Sequence, residues 1–303
     1  MMQNTEFQQK ITALLPNFQF RLWEPMEKHT SFRIGGPAEV MAFPKDPQEL
    51  KQLLEMSDLL DCKRVILGAG TNVLAPDNGI EGLVICLKGA LEGMEQLEGN
   101  RIRVAAGVTM SRAAIFAAEL SLGGLEFAHG IPGTVGGGVY MNAGAYGGEI
   151  ADVCESVDVM WMDGCVETLT ADQMRFSYRH SRLEEESGIV LAVTFGLTPA
   201  PEDEIRAKIR ELQAKRKASQ PLELPSAGSA FKRPVGGYAA ALIDQAGLKG
   251  FRIGDAAVSE KHAGFVVNLG KASARDVQEL LQQVSHKVFV MSGIRLEPEM
   301  RIW

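Results

Sequence analysis

From Gly123 to Gly148 the chain places ten glycines in twenty-six residues. They alternate with Ile131, Pro132, Val135, Val139, Tyr140, Met141 and Tyr146, which are packing residues, whereas a flexible linker mixes glycine with serine. An ordered glycine run lets successive backbone N–H groups turn inward and approach an anion closely. Tight turns between strands explain the composition equally well. A second candidate loop, Gly68-Ala69-Gly70-Thr71-Asn72, follows the apolar run Arg64–Leu67 directly and adds a hydroxyl and an amide. Neither loop is a standard nucleotide motif. The dinucleotide fingerprint needs Gly or Ala where Val73 stands. Gly264 to Gly270-Lys271 has one residue too many for a Walker loop, and Ala272 replaces its Ser or Thr. Two phosphate-type loops outside both motifs suggest another kind of dinucleotide fold.

The elements around these loops follow from local signals. An amphipathic helix is expected over Thr5–Leu15. Asp46, Pro47 and Glu49 start a helix that runs to about Leu60. Strands are expected at Val40–Phe43, Arg64–Leu67, Leu83–Lys88, Arg101–Ala106, Ser156–Met162, Ile189–Leu197 and Phe265–Leu269. Thr109 caps a helix that ends at Gly123 and Gly124. The stretch His129–Glu149 is too rich in glycine for regular structure. Further helices are expected over Glu204–Ser219, Tyr238–Ala246 and Ser273–Val290, and the closing LEPEMRIW reads as strand-like. Strands and helices alternate loosely, so the fold class is α+β. The proline-rich stretch Gln220–Pro234 is the best boundary.

The chain has 303 residues, 46% of them hydrophobic, and a formal net charge of -7. Its length allows two or three domains with a sizeable core. The interspersed, mildly acidic charge argues against a nucleic-acid binder. Cys62, Cys86, Cys154 and Cys165 form no C-x-x-C pair and no zinc spacing, so no metal is expected and buried free thiols in a reducing cytosol are. The N-terminus lacks the apolar region of a signal peptide, and no apolar run is long enough to span a bilayer. A cytoplasmic protein without membrane contact is expected.

Seven segments occur in a recognisable order: HTSFRIGGPA (His29–Ala38), LGAGTNVL (Leu67–Leu74), GIPGTVGGGVYMNAGAYGGEI (Gly130–Ile150), YRHS (Tyr178–Ser181), GSAFKRP (Gly228–Pro234), AGLKG (Ala246–Gly250) and LEPEMRIW (Leu296–Trp303). Together they resemble the UDP-N-acetylenolpyruvoylglucosamine reductases, in their short, type II form. The resemblance implies an α+β, two-lobed FAD-binding domain of the vanillyl-alcohol-oxidase/PCMH type over residues 1–220, with lobes of roughly 1–60 and 61–220. A C-terminal α+β substrate-binding domain would follow at 221–303. It implies FAD as cofactor, NADPH as co-substrate and a UDP-sugar enolpyruvyl ether as substrate. A monomer is expected.

The resemblance further implies that Gly68, Ala69, Gly70, Thr71 and Asn72 hold the pyrophosphate, with Thr71 where the family more often has Ser. Gly130, Pro132, Gly133, Gly136, Gly137, Asn142, Gly144 and Ala145 would line the flavin. Arg179 matches the family's arginine, whose guanidinium can grip a carboxylate with two parallel bonds. Ser229 matches its proton donor, although serine is a weak acid and turn capping is the commoner use of such a hydroxyl. Glu299 matches its acidic residue; Glu297 lies two residues away, and spacing does not separate them. Lys232, Lys249, Lys261 and Asn268 are substrate-binding candidates, and surface charge or turn chemistry explains them equally well. Two other readings stay open: a flavin oxidase acting on another substrate, and a nucleotide-binding module without turnover.

Overall fold

The computed structural model describes residues 5–303; residues 1–4, where the N-terminal reading begins, lie outside it. By contacts the chain divides into two compact units. One holds the described residues up to Leu22, Val40–Ala69 and Gly82–Lys215; the other holds Trp23–Glu39, Gly70–Glu81 and Arg216–Trp303. Residues 23–39 and 70–81, placed by the sequence reading with the cofactor domain, cluster instead with the C-terminal third.

The first unit is built on a five-stranded antiparallel sheet in the order Val166–Thr170, Cys154–Met160, Ile189–Gly196, Arg101–Ala105, Met94–Leu97. The central strand, IVLAVTFG, is apolar almost throughout because both its faces are covered. The edge strand Val166–Thr170 buries only Leu169. Arg64–Leu67 pairs in parallel with Ile80–Cys86 (Arg64 opposite Leu83), and the helix Pro47–Leu59 precedes it. That helix starts as its residues dictate. Asp46 accepts the Glu49 N–H, Pro47 takes the first turn, and Leu50, Leu53 and Leu54 form the buried stripe.

The glycine stretch departs from expectation. The glycine stretch contains an α-helix, Val135–Tyr140, despite three consecutive glycines. Thr134 caps it, its Oγ1 accepting the Gly137 N–H (3.4 Å). Val135 and Val139 are fully buried. Tertiary contact overrides the poor helix propensity of glycine. A Cβ on Gly136 would lie 2.9 Å from Ala106 Cβ, and one on Gly138 would lie 2.8 Å from the Met110 sulfur.

In the second unit a four-stranded antiparallel sheet runs in the order Ser226–Ser229, Phe265–Asn268, Ala256–Val258, Arg252–Ile253. The helix Ala274–Ser292 packs its Val277, Leu280, Leu281, Val284 and Val288 stripe into this unit's core with Val258 and Val266. Ser273 and Asp276 form the capping box, and Gly293 at φ 72° ends the helix in the left-handed region. A second carboxylate reinforces its start: Asp77 accepts the N–H groups of Ala274 (2.7 Å) and Arg275 (3.1 Å). The closing segment is less regular than LEPEMRIW implies. Only Arg301–Ile302 is a strand, paired in parallel with Val73–Leu74.

All four cysteines are free; Cys86 and Cys154 are buried, Cys62 is half-buried and Cys165 is exposed. Burial pushes the Cys154 thiol up to about 12, which keeps it protonated and unreactive. Among the described residues no helix is long and apolar enough to cross a membrane. No group of three His, Cys, Asp or Glu among them could hold a metal ion.

The Asp77 cap can be tested directly. Asp77→Ala leaves two N–H groups of the helix start without their carboxylate and should lower stability by about 1–2 kcal/mol in a urea titration. No change in midpoint would show that Ser273 and Asp276 suffice.

Candidate active site

The first glycine loop forms where Arg64–Leu67 ends. Gly70 adopts φ 64°, and a Cβ there would lie 2.0 Å from the His29 carbonyl oxygen. Only glycine fits so tight a bend against a neighbouring backbone. Ser31 N–H donates to the Gly70 carbonyl (3.0 Å), and Ser31 Oγ donates to the Ser226 carbonyl (2.6 Å). Asn72 joins the same loop to the C-terminus: its Nδ2 donates to the Glu299 carbonyl (3.2 Å), and its own carbonyl accepts the Arg301 N–H (2.8 Å).

The second glycine loop meets the first loop's opening residue in the first unit. A Cβ on Gly68 would stand 3.0 Å from Thr134 Oγ1. Val135 N–H donates to Val108 O (2.8 Å), Gly136 N–H to Ala106 O (2.9 Å), and Met110 N–H to Gly133 O (3.1 Å), so the loop is ordered rather than a linker. At Gly137 the nearest atom to a Cβ is Thr134 Oγ1 at 3.6 Å, and at Gly147 nothing lies within 4 Å. Gly137 and Gly147 therefore present bare backbone that suits an anionic ligand, whereas Gly136, Gly138, Gly144 and Gly148 press against Ala106, Met110, Glu149 and Phe127.

The candidate polar residues divide by what they touch. Arg179 sits at φ 57°, its guanidinium 5.0 Å from the Tyr178 ring centroid, and Nη2 donates to the Gly144 carbonyl (3.0 Å). Ser229 ends its strand opposite Phe265. Directly after it the chain changes partner. Glu299 N–H donates to Ala230 O (3.0 Å), Lys232 N–H donates to Glu297 O (2.9 Å), and Phe231 bridges to Pro298. Ser229 and Glu299 thus lie on adjoining backbones of one unit. Glu299 is half-buried while Glu297 is exposed, a distinction spacing alone does not make.

Two asparagines serve the protein itself. Asn142 is fully buried; its Nδ2 donates to Ser177 O (3.0 Å) and its Oδ1 accepts the Ala151 N–H (3.0 Å). Asn268 is buried; its Nδ2 donates to Phe32 O (3.1 Å) and its Oδ1 accepts the N–H groups of Gly270 (2.9 Å) and Ala272 (3.0 Å). Lys249 pairs with Asp244 (2.9 Å), and Lys261 donates to Lys217 O (2.8 Å). His262 accepts the Gly264 N–H (3.1 Å) and meets the Phe265 ring edge-on; burial lowers its pKa. Sequence reasoning assigns no role to Ser31, Thr134 or Ser181. The HTSF and GTVGGG motifs contain the first two, but motif membership does not say which carbonyl a hydroxyl meets.

Residues 38–170 match the FAD binding domain family, and the open glycines Gly137 and Gly147 lie within that span. The α+β fold and this site define an FAD-dependent oxidoreductase. Residues 220–303 match a second family, the UDP-N-acetylenolpyruvoylglucosamine reductase C-terminal domain. The UDP-N-acetylenolpyruvoylglucosamine reductase of Agathobacter rectalis is 48% identical over 99% of this chain and 98% of its own length. That of Streptococcus pneumoniae strain JJA is 43% identical over 97% of each. The crystal structure of the Thermus caldophilus UDP-N-acetylenolpyruvylglucosamine reductase (MurB) superposes with a TM-score of 0.80 at 36% identity, covering 94% of this chain and 98% of that one. The chain belongs to the UDP-N-acetylenolpyruvoylglucosamine reductase family.

Gly70→Ala tests the first loop. The strained φ and the clash with His29 should cost about 1–3 kcal/mol, which, where it falls on the FAD-bound form, corresponds to roughly five- to 150-fold weaker FAD retention. The ratio of flavin to protein absorbance after gel filtration measures it. Full retention of FAD would remove this bend from the cofactor site.

Proposed function

We infer that this chain reduces the enolpyruvyl ether of UDP-N-acetylglucosamine enolpyruvate to the lactyl ether of UDP-N-acetylmuramate, a step of peptidoglycan precursor synthesis, with NADPH as the hydride source. Bound FAD supplies the hydride carrier between the two substrates. Gly68 to Asn72 would hold its pyrophosphate, and the backbone of the 130–148 loop would line its ring.

The chain's own residues must then manage charge and one proton. A hydride arriving at C3 of the enolpyruvyl group leaves an electron pair at C2, delocalised onto the adjoining carboxylate. We assign Arg179 to that carboxylate. Its planar guanidinium offers two parallel donors and stays charged, so it stabilises the charge that builds up. Ser229 donates the proton to C2. A hydroxyl is a weak acid in water, but a carbon-centred anion is basic enough to take its proton, and the resulting alkoxide is reprotonated from solvent. Glu299, as a neutral acid, donates a hydrogen bond to the substrate carboxylate or the developing enolate. Lys232 follows Ser229 by three residues and is assigned to the sugar nucleotide's diphosphate. Lys249 and Lys261 would have to exchange their present partners to join it.

The observation that carries this reading is the Glu299 N–H to Ala230 O bond, with the Asn72 amide on the Glu299 carbonyl. One backbone network supports the proposed proton donor, the proposed acid and the proposed pyrophosphate loop. We place the uridine and sugar on residues 221–303. Both substrates are soluble nucleotides and one chain carries every assigned residue, so a cytoplasmic monomer suffices.

The decisive experiment follows NADPH oxidation by the yellow protein with and without UDP-N-acetylglucosamine enolpyruvate. Oxidation that depends on the sugar nucleotide supports the reading; equal rates without it point to an oxidase. Ser229→Ala should leave flavin reduction by NADPH within a fewfold of wild type. It should slow reoxidation by the sugar nucleotide by about 10²–10⁴-fold. Equal loss in both half-reactions would refute the proton-donor role. Arg179→Lys keeps the charge but not the paired donors, and should raise KM for the sugar nucleotide while lowering kcat.

A further inference from the structure

We infer that Asn142 and Ser181 are positioning residues that hold the Arg179 guanidinium in register with the glycine loop; the inference rests on the carboxylate role proposed for Arg179. Arg179 lies in a two-residue turn closed in both directions, Ser177 N–H to His180 O and His180 N–H to Ser177 O (both 3.1 Å). Its φ of 57° is unfavourable for an arginine and persists only where the surroundings enforce it.

Three side-chain hydrogen bonds do so, all to one short stretch of the loop. Ser181 Oγ donates to Tyr140 O (2.8 Å), Asn142 Nδ2 donates to Ser177 O (3.0 Å), and Arg179 Nη2 donates to Gly144 O (3.0 Å). The partners on the loop are residues 140, 142 and 144. Two of the three side chains, Asn142 and Ser181, are fully buried, so neither can meet substrate where it stands. Asn142 Oδ1 also accepts the Ala151 N–H, which ties the same amide to the chain leaving the loop. Asn142 itself adopts φ 41°, and its N–H donates to Val139 O at the end of the glycine helix. A buried amide satisfied on both ends has one orientation, because turning it would face donor to donor and acceptor to acceptor. The turn bearing Arg179 and the glycine loop therefore form one hydrogen-bonded body, and a shift of one carries the other.

The measurement is a double-mutant cycle on the FAD-loaded protein. Ser181→Ala, Asn142→Ala and Arg179→Ala are made singly, and the first two are each combined with Arg179→Ala. Three quantities are read: reoxidation of reduced flavin by the sugar nucleotide, reduction by NADPH, and the calorimetric Kd of UDP-N-acetylmuramate. Ser181→Ala should slow reoxidation and weaken product binding by about ten- to a hundredfold, the scale of a sub-ångström misplacement. It should leave flavin content and reduction by NADPH within about twofold of wild type, because the glycine loop keeps its backbone bonds to Val108, Ala106 and Met110 when that one hydroxyl is removed. In the Arg179→Ala background, neither Ser181→Ala nor Asn142→Ala should add further loss in reoxidation or product binding. Losses that multiply would overturn the positioning role while sparing that of Arg179. If Arg179→Ala itself leaves reoxidation and product binding at the wild-type level, the carboxylate role fails and the inference falls with it. Should Asn142→Ala not fold, the Ser181→Ala arm decides alone.

Discussion

Backbone can meet backbone at van der Waals distance only where no Cβ intervenes, and Gly70 is where this chain depends on that fact. Its would-be Cβ position is occupied by the His29 carbonyl. Closing the bend brings Ser31 N–H to the Gly70 carbonyl and leaves Ser31 Oγ on the Ser226 carbonyl, at the start of the strand that ends in Ser229. Two residues after Gly70, Asn72 donates to the carbonyl of Glu299. The same bend thus sets the course of the C-terminal segment, which pairs in parallel with Val73–Leu74. A side chain at position 70 would disturb three pieces of chain far apart in sequence.

The glycine helix Val135–Tyr140 obeys the same constraint in another form. Glycine lowers helix propensity by about 1 kcal/mol per residue, so three in a row argue for a loop. Packing reverses the outcome, because Gly136 and Gly138 let the helix approach Ala106 and Met110 more closely than any other residue would. The Thr134 hydroxyl then serves twice. It caps the helix through Gly137 N–H and stands against Gly68, the first residue of the other loop. One small polar side chain is what the two glycine loops share within the first unit.

Local signals are legible in the sequence because their partners are close along the chain. Asp46 before Pro47, Thr109 before its helix, and Ser273 with Asp276 all cap as their spacing implies, since each partner lies within three residues. The strands Arg64–Leu67 and Ile189–Gly196 declare themselves by apolar runs. Asn142, Asn268 and Ser31 are illegible for the opposite reason. Each donates to a carbonyl 35, 236 or 195 residues away, and nothing in an asparagine or serine says which distant carbonyl it meets. An amide in a glycine loop reads as a ligand contact from sequence and proves to be a buried tie between two segments.

The separation of Glu297 from Glu299 shows the boundary between the two kinds of knowledge. Two residues apart in an extended segment, both side chains share a face, so pattern cannot choose. Their surroundings differ only once the partner segment is known. Glu299 gives its N–H to Ala230 and its carbonyl to Asn72, whereas Glu297 spends its carbonyl on Lys232 and remains exposed. Backbone held on both sides has little freedom to drift. An acid that must meet a substrate carboxylate at hydrogen-bond distance needs a backbone fixed in that way, since positioning fails over displacements of about 1 Å. The residue with the better-anchored main chain is therefore the better candidate for the chemistry, a criterion that backbone bonding supplies and composition does not.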